Sequence, residues 1–146
     1  MWKSSLVVAL LLVGLSGYAE TGSAAELIGN GGECLVVQGG GDADGTPLVL
    51  FHCNGSPRQQ WSFTNGQIVR SSGSCVDVQG GIAISGAAVM LFHCQKTPSQ
   101  RWTMSNGAIV GIGGLCLDVL DEGATDGTPV ILTPCSGSPG QHWTAQ

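Results

Sequence analysis

At 146 residues the chain is long enough for one domain and short for two. A net charge of −5, with only five Lys or Arg spread along it, excludes the basic stripe that nucleic acid or an anionic membrane surface requires. Charged residues at 10% and 24 glycines, about twice the usual glycine share, suit many short strands joined by tight turns better than helices.

The first segment, "MWKSSLVVALLLVGLSGYAETGSAAE", carries Lys3, then an apolar run from Leu6 to Leu15, then small residues. The run is too short to span a bilayer, and its order is that of a secretory signal rather than a buried N-terminal helix. Residues 1–25 are expected to be the signal, with cleavage after Ala25 and Ala19 as the other position, and residues 26–146 the mature domain. No cysteine directly follows the apolar run, which argues against a lipid anchor. Export implies an extracellular protein, or a periplasmic one in a Gram-negative bacterium. In such a compartment the six cysteines read as three disulfides, with the choice of partners left open by spacing alone.

From Leu27 onward the chain repeats. Cys34, Cys75 and Cys116 lie 41 apart, as do Cys53, Cys94 and Cys135. Gln59, Gln100 and Gln141 keep the same interval, and so do Trp61, Trp102 and Trp143, giving three QxW phrases in register. A repeat of this length decides the architecture. Each unit reads as a short apolar pair, a glycine turn, "CLVV", "CVDV" or "CLDV", a glycine-rich loop, then "DGTPLVLFHC", "SGAAVMLFHC" or "DGTPVILTPC". That is four strand-sized segments per unit. The third unit stops after its QxW, so the strand near Leu27 occupies the place of a fourth unit's opening strand. Three units are expected to close as a ring with adjacent ends.

A β-propeller has four-stranded blades of similar length but needs more of them. A β-trefoil needs three. Here three QxW phrases, each with a cysteine pair, resemble the ricin B-chain type lectin domain, a module also known as a carbohydrate-binding module of the xylan-binding type. The resemblance covers essentially residues 26–146 and implies an all-β, β-trefoil fold. It implies pairing within each unit, Cys34–Cys53, Cys75–Cys94 and Cys116–Cys135, each closure removing roughly 3 kcal/mol of unfolded-chain entropy in the simple model. It also implies that the three QxW tryptophans pack in the shared core rather than stack on ligands.

The same resemblance names a carbohydrate site. A sugar ring stacks its apolar face on an aromatic two positions before the second cysteine, here Phe51, Phe92 and then Thr133. An Asp of the CxDV segment accepts hydrogen bonds from its hydroxyls, here Val36, Asp77 and Asp118. The QxW amides Gln59, Gln100 and Gln141 complete the set. Only unit two has both the acid and the aromatic. Its neighbours depart from the family pattern as well: Arg58, Ser99 and Gly140 stand where an Asn is usual, and Val49, Met90 and Ile131 where a polar residue is usual. The bland reading of Asp77 and Asp118 is a turn-bonding or exposed acid, and that of Phe51 a packed aromatic.

Other chemistries find less support. Zinc at the "HC" pairs would need free thiolates. The Asp-Gly turns lack the bidentate Glu of a calcium loop. Glycoside hydrolysis needs two nearby carboxylates, whereas Asp77 and Asp118 are copies of one position in different units. The expectation is therefore a secreted lectin without cofactor, metal or catalytic residues, binding a galactose-like or xylose-like sugar or polysaccharide, best in unit two. The alternative is a protein-binding trefoil, such as a protease inhibitor or toxin-associated component, with decayed sugar sites.

Overall fold

The structure, a computed structural model, describes residues 24–146. The expected signal segment lies outside the described residues up to position 23. The short segments form β1 (Ala24–Ala25), β2 (Leu27–Ile28), β3 (Cys34–Val37), β4 (Leu48–Phe51) and β5 (Trp61–Thr64). They continue as β6 (Gln67–Arg70), β7 (Ser74–Val78), β8 (Val89–His93) and β9 (Thr103–Ser105). The last unit supplies β10 (Ala108–Val110), β11 (Leu115–Val119), β12 (Val130–Pro134) and β13 (Thr144–Ala145). Each unit thus contributes four strands, as the repeat predicts. The pair β1, which the repeat does not announce, adds to unit one by pairing Ala24 with Ser62 and Ala25 with Trp61.

Units pass into one another through Asn-Gly hairpins. Asn65 and Gly66 join β5 to β6, and Asn106 and Gly107 join β9 to β10, all four with positive φ. That is the two-residue turn whose twist matches antiparallel strands. The ring closes where the ends meet: β13 pairs with β2, and Glu26 and Gln146 exchange backbone hydrogen bonds of 2.8 and 2.9 Å. This is the register anticipated for the strand near Leu27. A short 3₁₀ turn precedes each QxW tryptophan, opening on Pro57, Pro98 or Pro139, where a missing N–H costs nothing. All six cysteines are paired within units, Cys34–Cys53, Cys75–Cys94 and Cys116–Cys135, which removes the thiolates a zinc site would need.

Between units the chain uses a three-fold set of backbone bonds. Leu91 accepts from Gly45 N–H at 2.7 Å and donates to the Thr46 carbonyl at 2.8 Å. Leu132 does the same with Gly86 and Ala87, and Leu50 with Gly127 and Thr128. The three glycines have φ of 91°, 94° and 90°, a conformation that glycine adopts without steric cost. The leucines themselves are fully buried. With Trp61, Trp102, Trp143, Ile68 and Ile109 they form one core at the three-fold centre. Each indole N–H reaches a strand carbonyl, that of Leu35, Val76 or Leu117, at 3.0 to 3.1 Å, so the ring is buried with its polar edge satisfied.

A side-chain clasp reinforces two of the three seams. Asp44, in the loop of unit one, accepts from the backbone N–H of His93 in unit two at 2.7 Å and contacts its Nδ1 at 2.6 Å. Asp126, in unit three, holds His52 of unit one in the same way. Ser85 and Pro134 occupy these positions at the third seam. Elsewhere the symmetry is broken by Arg70. Gly29 and Gly111 hold the equivalent places, and a Cβ there would lie 2.6 and 2.5 Å from the Trp143 and Trp102 rings. The buried Arg70 instead bonds the Gly41 carbonyl at 2.7 Å and pairs with Asp42.

Two outcomes follow from these contacts. Gly111→Ala forces a methyl into the Trp102 ring, and overpacking of this kind costs about 1–3 kcal/mol, read as a lower Tm on thermal unfolding. The Asp44 carboxyl is held below the usual carboxylate range, chiefly by its side-chain bond to His93, against the opposing effect of desolvation. Its contribution is present above the unfolded pKa and lost as pH falls through the lowered folded value. The Tm difference between wild type and Asp44→Asn is therefore expected at neutral pH, should begin to narrow as pH falls below about 4, and should close only below the lowered folded value. A difference unchanged into strong acid would mean that the Asp44 charge is not involved.

Candidate functional site

Strand alternation sets the two faces of each site. In β8 Leu91 points into the core, so Phe92 faces outward and is half-buried. β7 pairs with β8 so that Asp77 lies opposite Met90 and Cys75 opposite Phe92. The carboxylate and the ring are thus two residue pairs apart along one hairpin. A cavity of about 450 Å³ opens over them, lined also by Gly80, Gly81, Thr97 and Ser99.

Asp77 is only 6% exposed, which makes it neither a turn residue nor a solvated acid. Its Oδ1 accepts from the Val78 N–H at 2.6 Å and its Oδ2 from Gln100 Nε2 at 2.9 Å. A carboxylate oxygen has room for two donors, so each keeps one acceptor position for a ligand hydroxyl. Gln100 is completely buried. Its Nε2 also donates to the His93 carbonyl at 3.0 Å, and its Oε1 accepts from Gln95 N–H at 2.7 Å and Gln67 Nε2 at 3.1 Å. All its hydrogen-bonding capacity is used. Gln59 and Gln141 are buried in the same fashion, so the QxW amides lie beneath the site and not on its ligand-facing surface.

The equivalent places in the other units differ in a way that chemistry explains. In unit three the half-buried Asp118 accepts from Val119 N–H, as Asp77 does from Val78. Its Oδ2, however, receives the Thr133 hydroxyl at 2.6 Å as well as Gln141 Nε2 at 3.1 Å. The residue that replaces the aromatic therefore also fills Oδ2, and only Oδ1 keeps an acceptor position. In unit one a cavity of about 330 Å³ persists over Phe51, floored by the buried Val36 and Val49. Gln59 Nε2 donates to the His52 carbonyl at 2.8 Å and has no carboxylate to meet. Arg58 lines this cavity and packs on Gly40, where a Cβ would lie 2.5 Å from its Cδ.

Two supports escaped the sequence reading. His93 Nε2 meets Gln95 Nε2 at 2.8 Å while its Nδ1 meets Asp44, so a loop of unit one steadies the amide at the edge of the unit-two cavity. The signal was available within the repeat. Where position 52 or 93 is His, the preceding unit around the ring supplies Asp126 or Asp44, and where Pro134 stands there the preceding unit has Ser85.

Comparison with known proteins bears on the fold and the family. Residues 23–143 match the ricin-type beta-trefoil lectin domain. ThreeFoil, a designed three-fold symmetric protein, is 27% identical and superposes with a TM-score of 0.77 over 84% of this chain and 96% of its own. A non-toxic homologue of type II ribosome-inactivating proteins from Momordica charantia, solved with α-methyl-D-galactoside, is 25% identical with a TM-score of 0.74 over 84% of this chain and 47% of its own. The ricin B-like lectin of Macrolepiota procera, solved with lactose, shares the fold at 20% identity, with a TM-score of 0.72 over 86% of this chain and 96% of its own. Nigrin b of Sambucus nigra is 35% identical over 51 residues, which is 35% of this chain and 9% of Nigrin b. With three QxW units, a disulfide in each and the trefoil ring closed, the chain belongs to the ricin-type beta-trefoil lectin domain family.

Proposed function

We propose that the protein is a secreted carbohydrate-binding module whose working site is unit two. The observation that carries this reading is the pairing of a buried carboxylate with spare acceptor positions and an outward-facing aromatic in one cavity, Asp77 and Phe92. A pyranose offers an apolar C–H face and a rim of hydroxyls. Phe92 takes the face and Asp77 accepts from the rim, with charge-assisted hydrogen bonds. Gln100 acts as a positioning residue by holding Oδ2. Galactose-like and xylose-like rings both meet these demands. Binding rather than catalysis is supported by the single carboxylate lining the unit-two cavity, since glycoside hydrolysis uses a pair.

Secretion is supported by the three disulfides, which belong to an oxidising compartment. Among the described residues no helix is long and apolar enough to cross a membrane. Signal cleavage after Ala25 leaves Glu26 at the closing pair with Gln146 but gives up the pairing of Ala24 and Ala25 with β5. Cleavage after Ala19 keeps that pairing. The intact mass of the exported protein distinguishes the two.

Titration calorimetry with galactosides and xylo-oligosaccharides tests the site. A hydrogen bond to a charged acceptor contributes about 1.5–3 kcal/mol, so Asp77→Asn should weaken binding roughly tenfold or more at unchanged fold. Phe92→Ala should do the same, while Asp118→Asn, in another unit and outside the lining of that cavity, should leave affinity within about twofold. Equal losses at Asp77 and Asp118 would reject the assignment to unit two. A companion experiment builds the missing site. Val36→Asp with Arg58→Ser gives unit one the carboxylate and serine of unit two, with Val37 N–H and Gln59 Nε2 as donors already in place. Monosaccharide stoichiometry should rise from one to two, at similar affinity.

A further inference from the structure

A second groove adjoins the unit-two cavity, between the Asn65–Gln67 hairpin and the loop after β8. It has a volume of about 280 Å³ and is lined by Asn65, Gln67, Gln95, Lys96, Thr97 and Arg101. Gln95 and Thr97 also line the Asp77 cavity, so the two are continuous across these side chains. They are coupled beneath as well. Gln67 Nε2 donates to the Gln95 carbonyl at 2.7 Å and to Gln100 Oε1 at 3.1 Å, and Gln100 holds Asp77.

The groove is basic in a protein of net charge −5. Lys96 and Arg101 are exposed and form no ion pair among the described residues, and no acid lines the groove beside them. Their repeat equivalents are Gly55 and Gln60 in unit one, and Gly137 and His142 in unit three. In unit three the corresponding space is smaller, about 150 Å³, with the His142 imidazole against Gly107. The cations therefore occur only beside the one site that has both acid and aromatic. Two features that vary independently along the repeat coincide in the same unit.

We propose that this groove is an anion subsite, which receives a carboxylate or sulfate carried by the sugar next to the one held at Asp77 and Phe92. The inference rests on the carbohydrate reading of unit two and names its ligand class as an acidic polysaccharide. The Arg101 guanidinium presents paired donors to a planar or tetrahedral oxyanion, and Lys96 adds a mobile point charge. The amides of Asn65 and Gln95 offer donors to the adjoining hydroxyls.

Calorimetry at low salt with matched oligosaccharides provides the test. One pair is a κ-carrageenan oligosaccharide and its desulfated form, and the other is tri-galacturonate and its methyl ester. Wild type should prefer the acidic member of at least one pair, the pair that responds naming sulfate or carboxylate, and rising salt should erode the preference. Lys96→Gln with Arg101→Gln, both exposed, should reduce affinity for that acidic member about three- to tenfold and leave its neutral counterpart unchanged. Asp77→Asn should weaken both members. No preference in either pair, or a preference that survives the double variant, overturns the anion subsite. Asp77-dependent binding of neutral sugars without preference for an acidic member removes this inference alone, whereas wild-type binding to no member and to none of the galactosides and xylo-oligosaccharides removes the carbohydrate reading with it.

Discussion

Leu50, Leu91 and Leu132 each exchange two backbone hydrogen bonds with the glycine loop of the neighbouring unit, and the rest of the molecule is organised around that exchange. A single unit has four strands and one apolar face, too little to bury by itself. The exchange brings three such faces to one axis, where the leucines and tryptophans fill the centre. It constrains the loops in turn. Gly45, Gly86 and Gly127 must turn back with φ near 90° for their N–H groups to reach the leucine carbonyls. A ring assembled this way has no open seam, and the pairing of β13 with β2 makes the last join between chain ends.

Once the core is committed to three-fold repetition, the outward positions are released from it. This is why the same hairpin carries three different surfaces. Every unit retains the buried amide, the tryptophan and the disulfide, because these support the unit itself. The residues facing the cavity vary: Val36, Asp77 and Asp118 on one strand, Phe51, Phe92 and Thr133 on the other. Unit two keeps an acceptor position on each Asp77 oxygen, unit three gives the one on Oδ2 to the Thr133 hydroxyl, and unit one replaces the acid with an apolar floor. A buried glutamine with its full complement of hydrogen bonds is a rigid mount for a carboxylate, and rigidity lowers the cost of ordering a ligand against it.

The seams between units also reach the site. Asp44 belongs to unit one, yet it bonds His93, which meets Gln95 at the edge of the unit-two cavity. The Asp126–His52 clasp is its copy, with Glu33 nearby. The Glu33 carboxyl is pushed above the usual carboxylate range by desolvation first and by the charge of Asp126 second. The clasps thus place titratable groups at the unit boundaries, where the loops that frame the cavities begin.

Much of this was legible in the residues. The 41-residue interval, the QxW phrases and short apolar segments such as "LVLF" between glycine turns dictate four strands per unit, three units and a closed ring, because strand length and repeat closure are local or counting properties. Strand alternation likewise sets Phe51 and Phe92 on the face opposite Leu50 and Leu91. What the residues alone could not supply was who meets whom across the units and beneath the surface. The burial of Gln59, Gln100 and Gln141, the occupation of Asp118 Oδ2 by Thr133, the clasp from Asp44 to His93 and the continuity of the Lys96–Arg101 groove with the Asp77 cavity all join positions distant in the chain. Pattern specifies which face a side chain occupies. Whether its hydrogen-bonding capacity is spent on a neighbour or left for a ligand depends on the packing of three units around one axis, and only the tertiary structure decides that.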